Sequence, residues 1–410
     1  MRVYSVLPQI RYSIIRSISE KVAAINKSLP SEQQVIDLTM GQNMIGDPTC
    51  IFRKIAFLRD TKVPPFTYAP SLGTISARES ASNFYDLWFK VKLETDWIMI
   101  TDGGMGALRN ALCSVVNDGD IVVIDPFTFT YPLDTLRVFG RKFRVEVLNS
   151  SEDLHFVPSA DTVIESLGSL SQRNSDKMII YYTQLGFNPQ GAFRPRNELK
   201  KIVEFVDDSK NVVLVNDIVY HLIRFDKFEM PLTSIMSSEG RNIFDCDALS
   251  KPFSLMGCRV GAMITRDKEL FEAAAKIQQY SIVSPNVIAC EIWNVVGNPE
   301  NFVEIERAVK ELNQKLRENF EITRKTLEKL GLHSISPGQG TLYVFIRTLE
   351  DSEKFVYNLI ERAKVALVPG TAFELTPKNG HKYARITISV PRDLLQKALE
   401  RIECYITQAT

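Results

Sequence analysis

Ala248-Leu249-Ser250-Lys251-Pro252-Phe253-Ser254-Leu255-Met256-Gly257-Cys258-Arg259-Val260-Gly261 places one lysine after a short apolar run, and an arginine eight residues later in a loop with two glycines. A lysine withdrawn from water has a lowered pKa and can condense with an aldehyde to form a Schiff base. An arginine can hold a phosphate through two parallel hydrogen bonds. A ligand that is both an aldehyde and a phosphate needs both functions. A lone Ser-Lys would read as a surface turn beside a packing arginine, but a pattern spread over fourteen positions makes that the weaker reading.

Upstream, four β-rich runs end in small or polar residues. Trp97-Ile98-Met99-Ile100-Thr101 leads into Asp102-Gly103-Gly104, and Ile121-Val122-Val123-Ile124 into Asp125-Pro126. Met178-Ile179-Ile180-Tyr181-Tyr182 leads into Thr183-Gln184, and Val212-Val213-Leu214-Val215 into Asn216-Asp217. Continuous apolar strands are expected when helices cover both faces of a sheet. The segments between them, such as residues 106–116 and 196–206, are long enough for helices. The expected fold class is α/β with a largely parallel sheet. Ligands bind beyond the carboxyl ends of such strands, where the polar residues cluster.

After Ile282 the pattern changes. A charged helical stretch spans residues 299–330, and strands are expected over 340–346 and 384–389 with a helix over 352–364 between them. This predicts a smaller α+β domain. The N-terminal segment, with a helix over residues 10–25 and a strand over 35–38, is expected to pack on it. The predicted division is residues 46–290 as the large domain and 1–45 with 291–410 as the small one. A continuous helix near residues 284–325 is expected to join them.

Asp217, at the end of its run, is a carboxylate that burial makes costly without a positive partner, and a protonated pyridine nitrogen is one such partner. A helix N-cap is the structural alternative. Tyr220 follows three residues on, within reach of the same ligand. Gly186-Phe187-Asn188-Pro189-Gln190-Gly191 is first of all a turn signal. Gly103-Gly104-Met105-Gly106 follows a strand and opens a helix, where free N–H groups form an anion site. Arg385, in Arg385-Ile386-Thr387-Ile388-Ser389, suits a carboxylate ligand or an exposed position on an edge strand. Tyr68 stands beside a Pro-Gly turn, where it also suits a core.

Taken together, these motifs resemble the class I/II aminotransferases, which belong to the fold-type I pyridoxal phosphate (PLP) enzymes. The lysine signature matches except at Ala248, where that family has Ser or Gly. The resemblance runs in family order from Gly41 to Arg385. It implies that Lys251 holds PLP as a Schiff base and serves as general base on the α-proton. It implies that Asp217 pairs with the pyridine nitrogen, while Tyr220 and Asn188 bond the phenolic oxygen. Gly104, Met105, Ser250 and Arg259 would hold the phosphate, chiefly through backbone donors, because the hydroxyl residues usual around Gly104 and Met105 are missing. Arg385, Gly41 and Asn188 would take the substrate carboxylate and line its pocket. Tyr68 would reach the phosphate of a neighbouring subunit, which implies a homodimer with shared active sites. The aromatic that stacks on the ring in the family is replaced here by Thr128, and a one-residue shift would bring Phe129 to that place. The implied reaction is transfer of an amino group between an L-amino acid and a 2-oxo acid by a ping-pong mechanism. Other PLP chemistry on amino acids (a C–S or β/γ-lyase, a decarboxylase or an oxidase) uses the same lysine and aspartate, and a non-catalytic regulator is a third reading.

Bulk properties agree with an ordinary globular enzyme. The 410 residues are 45% hydrophobic and 24% charged, with 49 basic and 49 acidic side chains. That balance argues against a nucleic-acid partner. No apolar run approaches the roughly 18 residues of a membrane span. The six cysteines are scattered without a CxxC pair, which predicts no metal site and a reducing, cytoplasmic setting. Specificity for the substrate side chain is expected from Tyr12, Gln42, Asn43, Met44 and the loop over residues 280–286. The aromatic-rich loops favour a bulky or apolar substrate.

Overall fold

A computed structural model describes residues 13–55, 67–375 and 378–409. Its centre is a seven-stranded sheet built from β2 (Ile98–Asp102), β3 (Ile121–Ile124), β4 (Arg144–Val147), β5 (Ile179–Gln184), β6 (Val212–Asp217), β7 (Ile243–Ala248) and β8 (Val260–Ile264), after a short β1 (Ile36–Asp37) that lies elsewhere. The spatial order is β2-β8-β7-β6-β5-β3-β4, and β8 alone runs against the rest. Every residue of β5, β6 and β7 is buried, as the unbroken apolar runs require. On one face, the helices Gly104–Val115 and Lys268–Ile282 pack Ala107, Leu112 and Ala274 against Val122, Ile180 and Val213. On the other, the helices Ala160–Arg173 and Arg196–Asp207 pack Val163, Leu167, Ile202 and Val203 against Ile121, Ile179 and Leu214.

A second, antiparallel sheet is ordered β11 (Val368–Pro369), β12 (Tyr383–Thr387), β9 (Tyr343–Arg347). β12 is therefore the central strand, and Arg385 is 1% exposed. This overturns the edge-strand alternative for that arginine. The N-terminal segment joins this part of the molecule: β1 pairs in parallel with β10 (Val365–Ala366), and Leu38 accepts from the Thr387 amide. The N-terminal helix spans Ile14–Asn26, capped by Ser13, whose hydroxyl accepts from the Arg16 amide at 3.1 Å. Residues 10–12 of the expected helix lie outside the described residues.

The expected continuous helix near residues 284–325 is instead two helices, Val287–Val296 and Phe302–Lys329. Pro299 cannot donate to a helical ladder. The freed groups are met locally: Asn298 accepts from the Glu300 amide, and Asn301 donates to the Val295 carbonyl. The helix expected over residues 352–364 ends at Asn358 and continues as one wide π turn, Leu359–Ala363. Among the described residues, no helix is long and apolar enough to cross a membrane.

Trp293 fixes the first of the two helices to the sheet. It is fully buried, meets Phe84 edge-on at 5.5 Å, and donates from its indole to the Gly261 carbonyl at 3.2 Å. Trp293→Ala is expected to lower unfolding free energy by about 3–5 kcal/mol. Urea denaturation checks this, and an unchanged midpoint would mean that the tryptophan anchors nothing.

Candidate active site

The carboxyl ends of β5, β6 and β7 bring the predicted residues into one cleft. Asp217 ends β6 and is buried. Its carboxylate accepts from the Val219 amide at 3.2 Å. Burial pushes its pKa up to about 7, the Val219 amide opposes this, Asp247 adds to it, and Lys251 opposes it. Asp217 therefore does not cap a helix; it is an under-compensated buried acid, which is what a cationic ligand atom corrects.

Lys251 follows β7 in the loop that leads to β8. Burial is the main cause of its low pKa of about 8, with Arg385 and Arg259 also lowering it and Asp217 opposing. A lysine so shifted is partly neutral near pH 7 and thus nucleophilic. Its Nζ donates to the Gly41 carbonyl at 2.5 Å, and its own carbonyl accepts from Asn43 Nδ2 at 2.8 Å. A side chain on Gly41 would have to displace Tyr343, because a Cβ there would lie 2.0 Å from the Tyr343 hydroxyl.

Arg385 faces the same cleft from β12. Its guanidinium lies 4.2 Å from the centre of the Tyr343 ring and 4.9 Å from that of Phe373. One nitrogen donates to Asn188 Oδ1 at 2.7 Å, and the other bonds the Thr39 carbonyl. Burial lowers its pKa, and Nε has no partner. Tyr220 is buried, with its hydroxyl 2.7 Å from that of Tyr343. Asn188 precedes a cis proline, and its amide donates to Gln184 Oε1 at 3.3 Å.

The phosphate end is formed by Gly103 to Met105. Gly104 and Met105 occupy the first turn of their helix, where N–H groups lack intrahelical acceptors. Arg259 lies over this turn, and its guanidinium donates to the carbonyls of Met256 at 2.9 Å and Asp102 at 3.4 Å. A Cβ on Gly261 would lie 2.5 Å from the Gly103 carbonyl carbon, so this glycine lets β8 come up against the turn. Ser250 is buried nearby in sequence to Lys251, and its carbonyl accepts from the Leu255 amide.

Two predicted residues stand apart. Tyr68 is 86% exposed on its own chain, so the core alternative does not hold. Phe129 is half-buried and stacks on Tyr131, with centroids 4.6 Å apart, while Thr128 is buried and accepts from Gln184 Nε2 at 2.7 Å. Tyr131 acts electrostatically on Arg385 and pairs with the Ser13 hydroxyl. Phe127 belongs to a separate core with Phe156, Phe345 and Tyr383. Of the expected specificity residues, Gln42 and Met44 are exposed, Asn43 is turned inward, and Tyr12 lies outside the described residues.

Sequence reasoning missed Tyr343, Thr39 and Tyr182. Tyr182 is a buried hydroxyl without a partner among the described residues, and burial with the Asp217 charge pushes its pKa up. A hydroxyl-bearing aromatic in the strand beside that of Arg385 was the available signal for Tyr343. The residues present fit PLP: an acid lacking a cation, a lysine of lowered pKa, and a glycine turn under an arginine are the parts it requires.

The family model of aminotransferases of class I and II matches residues 33–402. The chain is 25% identical to an aspartate aminotransferase of Pyrococcus horikoshii over 94% of this chain and 96% of the other. It is 28% identical to an aspartate aminotransferase of Thermotoga maritima over 91% and 92%. A crystal structure of an aminotransferase from Mycobacterium tuberculosis superposes with a TM-score of 0.85 at 21% identity, covering all of both chains.

In the protein freed of any ligand, Asp217 keeps a proton in the fold at pH values where the unfolded chain has lost it. Its contribution to stability is therefore full below the ordinary value of 3.8 and is lost as pH rises to about 7. Urea unfolding on both sides of this window is expected to show that loss in the wild type and a flatter profile in Asp217→Asn. Equal slopes would contradict it.

Proposed function

The chain belongs to the class I and II aminotransferases and is a pyridoxal phosphate-dependent transferase; from that premise we propose which of its residues carry the transfer and what they accept. The observation that carries the assignment is the convergence of Lys251, Asp217 and Arg385, from three separate elements, on one cleft. We assign residues 46–290 to a cofactor-holding domain, and 1–45 with 291–410 to a substrate-holding one.

Lys251 holds the cofactor through Nζ. Gly104, Met105, Ser250 and Arg259 take its phosphate, Asp217 its ring nitrogen, and Tyr220 and Asn188 its phenolic oxygen. When bound, PLP supplies an electron sink that acidifies the Cα–H bond of an amino acid. Arg385, already bonded to Asn188, orients the substrate carboxylate. It exchanges the Thr39 carbonyl for a charged oxygen, which is the stronger partner. Gly41 lines the same pocket. Lys251 Nζ, freed when the substrate amine takes its place and no longer bonded to the Gly41 carbonyl, takes the α-proton as general base and can return it. Tyr343 holds the Tyr220 hydroxyl in place. Phe129 and Tyr131 form an aromatic wall beside Arg385, and Phe129 is assigned to the cofactor ring. A 2-oxo acid leaves, and a second one enters to take the amino group, which gives ping-pong kinetics.

Among the described residues, the cations that act on Lys251 are Arg385 and Arg259. One is assigned to the α-carboxylate and one to the phosphate. The aromatic pair Phe129 and Tyr131 beside them favours a donor with a bulky or apolar side chain, although the two relatives above carry the name aspartate aminotransferase. The protein loaded with PLP is expected to change its visible absorbance on addition of L-leucine or L-phenylalanine, and to recover with a 2-oxo acid. Lys251→Ala is expected to abolish turnover. A response to L-aspartate alone would reverse the substrate reading, and turnover in Lys251→Ala would remove the central assignment.

We further propose a cytoplasmic homodimer whose sites are shared. Its support is the exposure of Tyr68 and Tyr280, and six free thiols without a pairing partner. Mixing Lys251→Ala chains with Tyr68→Ala chains is expected to give activity above that of either alone, because hybrid dimers then hold one intact site. Activity no higher than that of the separate variants would show that each chain works alone.

A further inference from the structure

Two hydroxyls meet inside the cleft, and only one of them is assigned to the cofactor. Tyr343, on β9, and Tyr220 place their oxygens 2.7 Å apart, with the rings edge to face at a centroid distance of 5.8 Å. Both side chains are buried. Among the described residues, neither hydroxyl has a second hydrogen-bond partner. The Tyr343 oxygen packs against Gly41, where a Cβ would lie 2.0 Å from it. The face of its ring carries the Arg385 guanidinium at 4.2 Å. Tyr343 thus touches the residue assigned to the substrate carboxylate, the residue assigned to the phenolic oxygen, and the glycine whose carbonyl takes Lys251 Nζ.

Two hydroxyls in contact share one hydrogen bond and leave one proton over. The surroundings decide which. If Tyr220 donated to Tyr343, the proton left over would be that of Tyr343, which packs on Gly41 and bonds no other acceptor among the described residues. A buried O–H left unpaired is costly. If Tyr343 donates to Tyr220, the proton left over is that of Tyr220, which stands where the phenolic oxygen of the cofactor is assigned. Only the second arrangement pairs both protons once the cofactor is in place. The cation on the Tyr343 ring works in the same direction, because a positive charge over the face of a phenol makes its O–H a stronger donor.

We propose that Tyr343 is a positioning residue for the transfer reaction: it donates to the Tyr220 oxygen, turns the Tyr220 proton toward the phenolic oxygen of the cofactor, and strengthens that donor by polarising it. It acts through Tyr220 and touches no reacting atom. The inference rests on the assignment of Tyr220 to the phenolic oxygen, and adds the residue that aims the hydroxyl and the direction in which the two donate. That direction has a consequence at Lys251. The phenolic oxygen and Nζ share the proton of the linkage between cofactor and lysine. A stronger donor at the oxygen draws charge from it and loosens its hold on that proton, so the linkage deprotonates at lower pH. The ionisable groups acting on Tyr220 are Tyr343, Arg385 and Asp217, and those acting on Lys251 are Arg385, Asp217 and Arg259. Exchange of Tyr343 for phenylalanine removes the Tyr343 hydroxyl from this set and no other group.

The readout is the visible band of the PLP-loaded protein, titrated with pH in the absence of substrate. Tyr343→Phe removes one oxygen and keeps the ring under Arg385. Its midpoint is expected to lie above that of the wild type by about half a pH unit. Tyr220→Phe, which removes the donor itself, is expected to raise the midpoint by about one unit or more. In the Tyr220→Phe background, Tyr343→Phe is expected to add nothing, because its effect passes through the Tyr220 hydroxyl. A merely structural role would shift both backgrounds alike, and that result would overturn the inference. An unchanged midpoint in Tyr343→Phe beside a raised one in Tyr220→Phe would overturn the inference alone. A lowered midpoint in Tyr343→Phe would mean that Tyr220 donates to Tyr343, and would overturn it too. An unmoved midpoint in Tyr220→Phe would overturn the assignment of Tyr220 and the inference with it.

Discussion

A carboxylate inside a sheet of apolar strands needs a full set of hydrogen-bond donors or a positive charge to meet it. Asp217 sets that condition. β6 delivers it to the carboxyl edge of the sheet with one amide donor and a lysine nearby. The neighbouring strands arrange themselves around the deficit: β5 leads to Asn188, β7 to Lys251, and β8 carries Arg259 at its start. The same burial that raises the acid lowers the lysine, so one low-dielectric cleft produces both shifts. Neither group needs an unusual local sequence to behave as it does.

The two sheets meet through aromatic rings and one arginine. Arg385 is enclosed by Tyr343 and Phe373, which lets a charged group stay inside the smaller sheet. Its bond to Asn188 crosses to the larger sheet. The Tyr220–Tyr343 contact crosses at a second point. These two bridges come from side chains on β9, β12 and the loops after β5 and β6.

Much of this was legible in the sequence, because the decisive residues sit in local patterns. Lys251 and Arg259 share one loop, Asp217 and Tyr220 share one turn, and each strand ends where its apolar run ends. What was not legible depends on distant partners. Nothing near Tyr85 in the chain announces that it will meet Asp247, and Thr39 enters through its carbonyl, which no sequence pattern encodes. Helical sequence lies on both sides of Pro299, and the break between the two helices depends on Asn298 and Asn301 meeting the backbone groups freed there. Two strands of the smaller sheet lie in apolar runs of the sequence, but β11 and the central position of β12 follow from pairing order, which periodicity does not contain. Phe129 shows the same limit: its partner Tyr131 is close in sequence, yet the direction of the stacked pair is set by the fold.

The segment from Thr39 to Asn43 grips both halves of the cleft, and it does so largely with its main chain. Two of its carbonyls hold Arg385 and Lys251, and a third, that of Gln42, takes the Ser389 hydroxyl. Backbone oxygens survive any substitution. Gln42 and Met44, whose side chains are exposed, can therefore change in size and polarity while the fastening stays intact, whereas Thr39, Met40, Gly41 and Asn43 are held by packing or by bonds of their own. The fastening of the two halves is thereby independent of the side chains that this segment presents to solvent.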